Sequence, residues 1–292
     1  MKKKLSIAFV WHMHQPMYKP NSVSDYLMPW VRMHAIKDYL DMLLIIKKYP
    51  KLKLNFNLVP LLISMLQDYT NDDTHDIHSR LTIKDVKELT PQEKEFILNN
   101  FFDANYNSMI LHHEPYRKLY EKRYLNKNVT IEDFSEQEYS DIMMWFNLAW
   151  LDPIWLDKYE KLQEWDKKQG NFTQQDRIDL INIHRDIISK IIPTYKKFQE
   201  EGRIEISTSP YYHPILPIML DVQDAQNTLI DRNSSLIPDD DVKEKVLPIF
   251  SSAQCNVEAG NGRLVRNKIE EAILNQSKRL VAEADADMSL LT

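Results

Sequence analysis

A chain of 292 residues with 43% hydrophobic and 27% charged residues is long enough to bury a full core in one or two domains. Its formal net charge of −6 argues against a polyanion partner or a basic membrane-binding face, so neither nucleic acid nor a membrane is expected as a partner. Cys255 is the single cysteine, which excludes an intrachain disulfide, and the four glycines (170, 202, 260 and 262) leave no phosphate-cradling Gly-x-x-x-x-Gly-Lys loop.

The N-terminal lysines lead into an apolar run too short for a signal-peptide core, and no run approaches the roughly 20 apolar residues of a membrane span. A cytoplasmic protein is expected. Leu5 to Val10 reads as a buried strand. Alternation puts Leu5, Ile7, Phe9 and Trp11 on one face, large and apolar as if packed under helices. The other face carries Ser6, Ala8, Val10, His12 and His14, and Pro16 stops the strand. Tyr18 to Trp30 reads as a polar loop.

Met33 to Lys48 has a helical stripe of Ile36, Leu40, Leu43 and Leu44. Leu52 to Val59 alternates as a second strand, with Leu52, Leu54, Phe56 and Leu58 on one face. Pro60 then opens a helix through Gln67. This β-α-β-α opening favours parallel strands. A long helical insertion follows. Thr90-Pro91-Gln92-Glu93 carries an N-cap, a proline at the first position and a glutamate three after the cap. Helices are expected from Pro91 to Asn105, Ser135 to Trp150 and Gln174 to Gln199. Gly202 ends the last, and Ile204-Glu205-Ile206-Ser207 reads as a third strand with Glu205 facing away from its neighbours.

The strand ends supply the candidate site. If the strands are parallel neighbours, His12, His14, Glu205 and His213 converge at one end of a sheet or barrel. Walled by Trp11, Tyr211 and Tyr212, such a pocket suits a sugar: aromatic faces pack on pyranose C–H surfaces while imidazole and carboxylate groups bond the hydroxyls. The bland reading is two capped strand ends with locally satisfied histidines. A third reading is a metal-dependent amidohydrolase, since His12-x-His14 puts both imidazoles on one face, although no later Asp-bearing strand completes a ligand set. His112-His113-Glu114-Pro115 reads as a helix-end polar patch. Trp145, Phe146, Ala149, Trp150, Pro153 and Trp155 read as core.

Three stretches together carry a resemblance: His14-Gln15-Pro16 after a strand, Met144 to Pro153 (MWFNLAWLDP), and Gly202 to Pro217 (GRIEISTSPYYHPILP). Over residues 4–221 the chain resembles glycoside hydrolase family 57, in its amylopullulanase-like branch. The resemblance implies an α/β fold, a (β/α)7 barrel here incomplete and carrying a large helical insertion, that acts on α-glucans or maltooligosaccharides with retention and without a metal or other cofactor. By the same resemblance His14 and Gln15 match the family's first motif and Glu205 the glutamate of its second, all three lining the glycone subsite, with His213 in that second motif. Retaining hydrolysis also needs a nucleophilic carboxylate and a second one about 5 Å away. The family carries them on its fourth and seventh strands, and no Trp-Pro-x-Glu type of segment follows Leu220. The chain is therefore expected to be an incomplete member without hydrolytic activity.

The tail is different. Every Trp and Tyr, and all Phe but Phe250, lie at or before Tyr212, so a boundary is expected soon after Leu220. Asp239 to Leu247 reads as a helix with acidic caps, and Gly260-Asn261-Gly262 opens a longer amphipathic one bearing Val265, Ile269, Ala272, Ile273 and Leu280. Residues 234–292 resemble the small helical lid of AAA+ ATPases similar to stage V sporulation protein K, where Arg263 or Arg266 would match a nucleotide-sensing arginine. Without a phosphate-binding loop no ATPase is expected. The expected organisation is a partial barrel over 1–225 and an all-α segment over 226–292, a fused or mis-assembled reading frame being one account of the junction. A carbohydrate-binding remnant and a helical assembly segment are the non-enzymatic alternatives, and the oligomeric state stays open.

Overall fold

The computed structural model describes residues 8–19 and 23–213. The expected strand residues Leu5 to Ile7 and the expected helices of the tail lie outside the described residues. The chain divides into two compact units, Met1–Thr208 and Ser209–Thr292.

The first unit is an α/β arrangement with one small parallel sheet. Its strands are β1 (Val10–Met13), β2 (Leu54–Leu58) and β3 (Ile204–Ser207), in the order β1-β2-β3. The register pairs Trp11 with Phe56 and His12 with Asn57, then Asn55 with Glu205 and Phe56 with Ile206. β1 begins later than the apolar run suggests, because its pairing is set by β2. Its expected buried face is also corrected: Phe9 and Trp11 are 59% and 47% exposed, and Met13 alone is buried at 4%. The cover reaches only the carboxyl end of β1, where the Tyr195 hydroxyl lies 3.2 Å from Met13 Sδ. Phe56, fully buried, meets Tyr195 edge-on at 5.2 Å.

Between β1 and β2 the chain is helical from Trp30 to Ile46, as α1 (Trp30–His34), a π-helical segment (Ala35–Tyr39) and α2 (Asp41–Ile46). The wider π turn leaves backbone carbonyls that other elements satisfy. Ile36 O accepts from the Trp155 indole at 3.1 Å, and Tyr39 O accepts from the Tyr195 hydroxyl at 2.9 Å. The preceding stretch is more than a polar loop. Tyr26 is buried and forms a parallel bridge with Asp76.

From β2 to β3 the chain is helical almost throughout: α3 (Pro60–Asp68), α4 (Ile77–Ile83), α5 (Pro91–Asn100), α6 (Glu114–Tyr124), α7 (Glu136–Ala149), α8 (Glu160–Lys168), α9 (Gln174–Ser189) and α10 (Ile191–Glu200). Reciprocal capping boxes start α4 at Asp76–Ser79, α5 at Thr90–Glu93, α7 at Ser135–Glu138 and α9 at Thr173–Asp176. The helix expected to run from Gln174 to Gln199 breaks at Lys190. Pro193 has no N–H to donate and its ring would clash with the Ser189 carbonyl, so a new helix starts just before it. His113 and Glu114 open α6, as expected of a helix-end patch. Gly202, at φ +65°, closes α10: its N–H bonds Gln199 O and that of Arg203 bonds Phe198 O, which turns the chain into β3.

A buried polar network joins these helices. Arg32 on α1 is bidentate to Asp76 (2.6 and 3.1 Å), and its Nη1 donates to Asn147 of α7 at 2.6 Å and to His184 Nδ1 of α9 at 3.0 Å. All four residues are at most 1% exposed. Tyr69 and the Ser79 N–H also donate to Asp76. Burial alone would raise the Asp76 carboxyl, but the Arg32 charge and these bonds hold it down to about 2. Burial keeps His184 well below the usual imidazole range, so it accepts from Arg32 as a neutral ring. Burial among Phe96, Phe101 and Phe146 pushes His78 down to about 4.

Arg32→Met is expected to cost about 3–5 kcal/mol in urea denaturation, because Asp76 is left charged and unpaired in the core. A cost near zero would show that the pair does not hold the helices. Stability should also fall with acid before the carboxylates titrate. Below about pH 6.5 the unfolded chain protonates His78 and His184 while the folded chain does not, so the unfolded state binds more protons and each such histidine costs on the order of 1 kcal/mol per pH unit. Asp76 adds its loss only between about pH 4 and 2, where the unfolded chain protonates first. Thermal melts across about pH 8 to 4 should show the decline starting near 6.5.

Candidate functional site

β2 is two-sided. Leu54, Phe56 and Leu58 face the helices, while Asn55 and Asn57 face the other way. The register extends that division across the sheet. Val10, Asn55 and Glu205 form one row of the polar face, and His12, Asn57 and Ser207 form the next towards the carboxyl end. The second row is bonded side chain to side chain: His12 Nδ1 meets Asn57 Oδ1 at 2.8 Å, and Asn57 Nδ2 donates to Ser207 Oγ at 3.2 Å. Asn57 fixes its amide by this pairing, and with its oxygen as acceptor His12 carries its proton on Nδ1. Beyond the strand end the His14 ring lies 6.1 Å from that of His12. The Gln15 amide is clamped at both ends, donating to Tyr39 at 3.1 Å and accepting from Tyr18 at 2.9 Å.

The structure thus brings His12, His14 and Gln15 together at the end of β1 and puts Glu205 on the same face as His12. It also corrects the expected convergence. β1 and β3 are not neighbours, and β2 between them leaves Glu205 two strands and one row from His12, about 12 Å between backbones. Trp11 pairs with Phe56 and lies on the opposite face, so it does not wall this site. His213 and the Tyr211–Tyr212 pair, edge-on at 4.8 Å, belong to the second unit, where the His213 N–H bonds Pro210 O in a turn at φ +50°.

The residues missed are Asn55, Asn57 and Ser207. Their signal was present: two asparagines alternating with leucine and phenylalanine in a strand are poor β-formers, and their place on a ladder is explained by what they bond. A cavity of about 160 Å³ lies on the other face, lined by Met13, Tyr39, Leu58, Leu62, Tyr195 and Ile206. It is apolar and holds none of the site residues. Among the described residues no three His, Cys, Asp or Glu side chains are grouped to hold a metal ion, and no helix is long and apolar enough to cross a membrane.

Sequence comparison matches residues 8–247, from the start of β1 past the end of the described strands, to glycosyl hydrolase family 57. The chain belongs to that family. Residues 226–292 match the AAA lid domain, so the two matches overlap over 226–247. No curated protein and no solved structure matches the chain. Family 57 membership makes the chain a glycoside hydrolase by descent, with a carbohydrate as the class of substrate. The row His12–Asn57–Ser207 offers an imidazole, an amide and a hydroxyl, with the Glu205 carboxylate one row away on the same face.

The two faces make opposite demands on stability. Phe56→Ala should cost about 3–5 kcal/mol in denaturant unfolding. Asn57→Ala, one residue along on the half-buried polar face, should cost about 1 kcal/mol or less. Equal costs would overturn the face assignment.

Proposed function

We propose that the polar face of the sheet binds the non-reducing end of an α-1,4- or α-1,6-linked glucan, and that the 292-residue chain binds it without cleaving it. The observation that carries this reading is the bonded row His12–Asn57–Ser207, which holds donors and acceptors in fixed orientation on an accessible face next to Glu205. A pyranose ring presents alternating hydroxyls at its rim, and such a row meets them with groups already oriented before binding. Gln15 acts through position, since its amide is spent on Tyr39 and Tyr18 and fixes the strand end that carries His14.

Cleavage with retention needs two carboxylates about 5 Å apart, one as nucleophile and one as acid and base. On the polar face of the described strands Glu205 is the one carboxylate. It can bond a sugar hydroxyl, and it cannot fill both roles. The (β/α)7 barrel is the architecture this reading assumes, with β1, β2 and β3 as its first part over residues 1–225. The AAA lid match covers residues 226–292, and association with a partner is the second reading for them.

Calorimetric titration with maltotriose should show binding that weakens about three- to tenfold in His12→Ala and in Asn57→Ala, the equivalent of one lost hydrogen bond each. Incubation with soluble starch or pullulan should release no reducing sugar. Sugar release that disappears in Glu205→Ala would overturn the non-catalytic reading, and absence of any maltotriose heat would overturn the binding one.

A further inference from the structure

Three tryptophans of the helical region are fully packed: Trp145, Trp155 and Trp165 are 1%, 3% and 2% exposed. Trp30 and Trp150 are not, although both lie against the same core. They meet each other with ring centroids 5.8 Å apart and a 52° tilt, and His34 stands edge-on to Trp150 at 5.7 Å. The three rings form a half-exposed ledge where the first turn of α1 meets the end of α7.

The ledge is locked. Trp150 caps α7, and its indole N–H donates to Asp103 O at 3.0 Å, which fixes the ring plane. His34 Nδ1 donates to Asp38 Oδ2 at 2.5 Å, which leaves Nε2 to meet a ligand hydroxyl from a side chain 35% exposed. Asp38, 41% exposed, adds a carboxylate oxygen beside it. Asp38 reaches His34 across the π-helical turn, within one turn of the same helical run. Rigid aromatic faces with polar groups at the rim, held before any ligand arrives, match a pyranose: apolar C–H bonds above and below, hydroxyls around.

The ledge is also tied to the end of β1 by side-chain contacts. The His34 ring is 6.2 Å from that of Tyr39, and the Tyr39 hydroxyl accepts from Gln15, the residue after His14. From Gln15 the contacts run through the buried Tyr39 and the His34 ring to Trp150, so the end of β1 and the ledge are held by one set of side chains.

We propose that Trp150, Trp30 and His34 form a second sugar subsite, which stacks a more distant glucosyl residue of the same α-glucan chain whose end lies on the sheet. This rests on the sheet-face reading above and extends it to a preference for chain length. A short oligosaccharide occupies the sheet face alone, and a longer one also reaches the ledge. The alternative is that these rings are merely the rim of the core.

Calorimetric titration of the full chain with maltotriose and with maltohexaose separates the two. The expected result is binding of maltohexaose about tenfold tighter than maltotriose, one good aromatic contact with its rim hydrogen bond. Trp150→Ala and His34→Ala should bring maltohexaose down to the maltotriose affinity and leave maltotriose unchanged, while Trp150→Phe keeps most of the difference. If Trp150→Ala melts early, His34→Ala, whose side chain is partly in solvent, carries the test. Equal affinity of the wild-type chain for the two sugars, or unchanged maltohexaose binding in His34→Ala and Trp150→Ala, overturns the ledge and leaves the sheet site standing. Failure of both sugars to bind overturns the sheet site and the ledge with it.

Discussion

Arg32 ties α1 to α7, to α9 and to the residue that opens α4. Its guanidinium is out of water, so every N–H must find an acceptor, and the acceptors come from α7, α9 and the residue before α4. A buried ion pair adds little net stability over a well-packed apolar one, because desolvation offsets the attraction. What it adds is exclusion of alternatives. A rotated α7 or a slipped α9 would leave a charge or an amide unpaired in the core, at several kcal/mol. Asn147 passes the constraint on, donating to Thr82 Oγ1 at 3.0 Å and to Met143 O at 2.8 Å. Helices α1, α4, α7 and α9 are therefore set relative to one another by polar bonds as well as by the aromatic packing around them.

That frame positions the sheet. Tyr195 on α10 bonds the π-helical carbonyl of Tyr39, touches Met13 and packs on Phe56, so it joins the helical region to β1 and β2 at once. Tyr39 in turn holds Gln15. The end of β1, where His12 and His14 stand, is thus fixed from below by apolar contacts and from the side by an amide clamp. Its polar face is left accessible to a ligand. The same frame leaves an apolar cavity beneath the sheet: the helices cover the Phe56 face as far as Met13, and the polar strand side chains stand on the other face.

Much of the local structure was legible because it is governed by neighbours in sequence. Thr90-Pro91-Gln92-Glu93 announces a helix start with its own capping atoms, and Gly202 ends one by accepting a positive φ that other residues resist. The alternation of Leu54, Phe56 and Leu58 announces β2. The reading of Trp145 and Phe146 as core holds, whereas Trp150 in the same block keeps an exposed face. Less legible were the helices α4, α6 and α8, whose apolar stripes are short, and the break at Lys190, where the periodicity continues across Pro193.

The residues by themselves determined the α/β class and the parallel β-α-β opening, which follow from short-range periodicity, and three separate motifs, holding His14, Gln15 and Glu205 among them, carried the likeness to family 57. Only the tertiary structure decided that β2 runs between β1 and β3, that Asn57 bridges His12 to Ser207, and that Arg32 finds Asn147 and His184 across 115 and 152 residues. The physical reason is that hydrogen-bond satisfaction in a core is a global condition. A buried donor demands an acceptor, but nothing local to Arg32 names which distant residue will supply it.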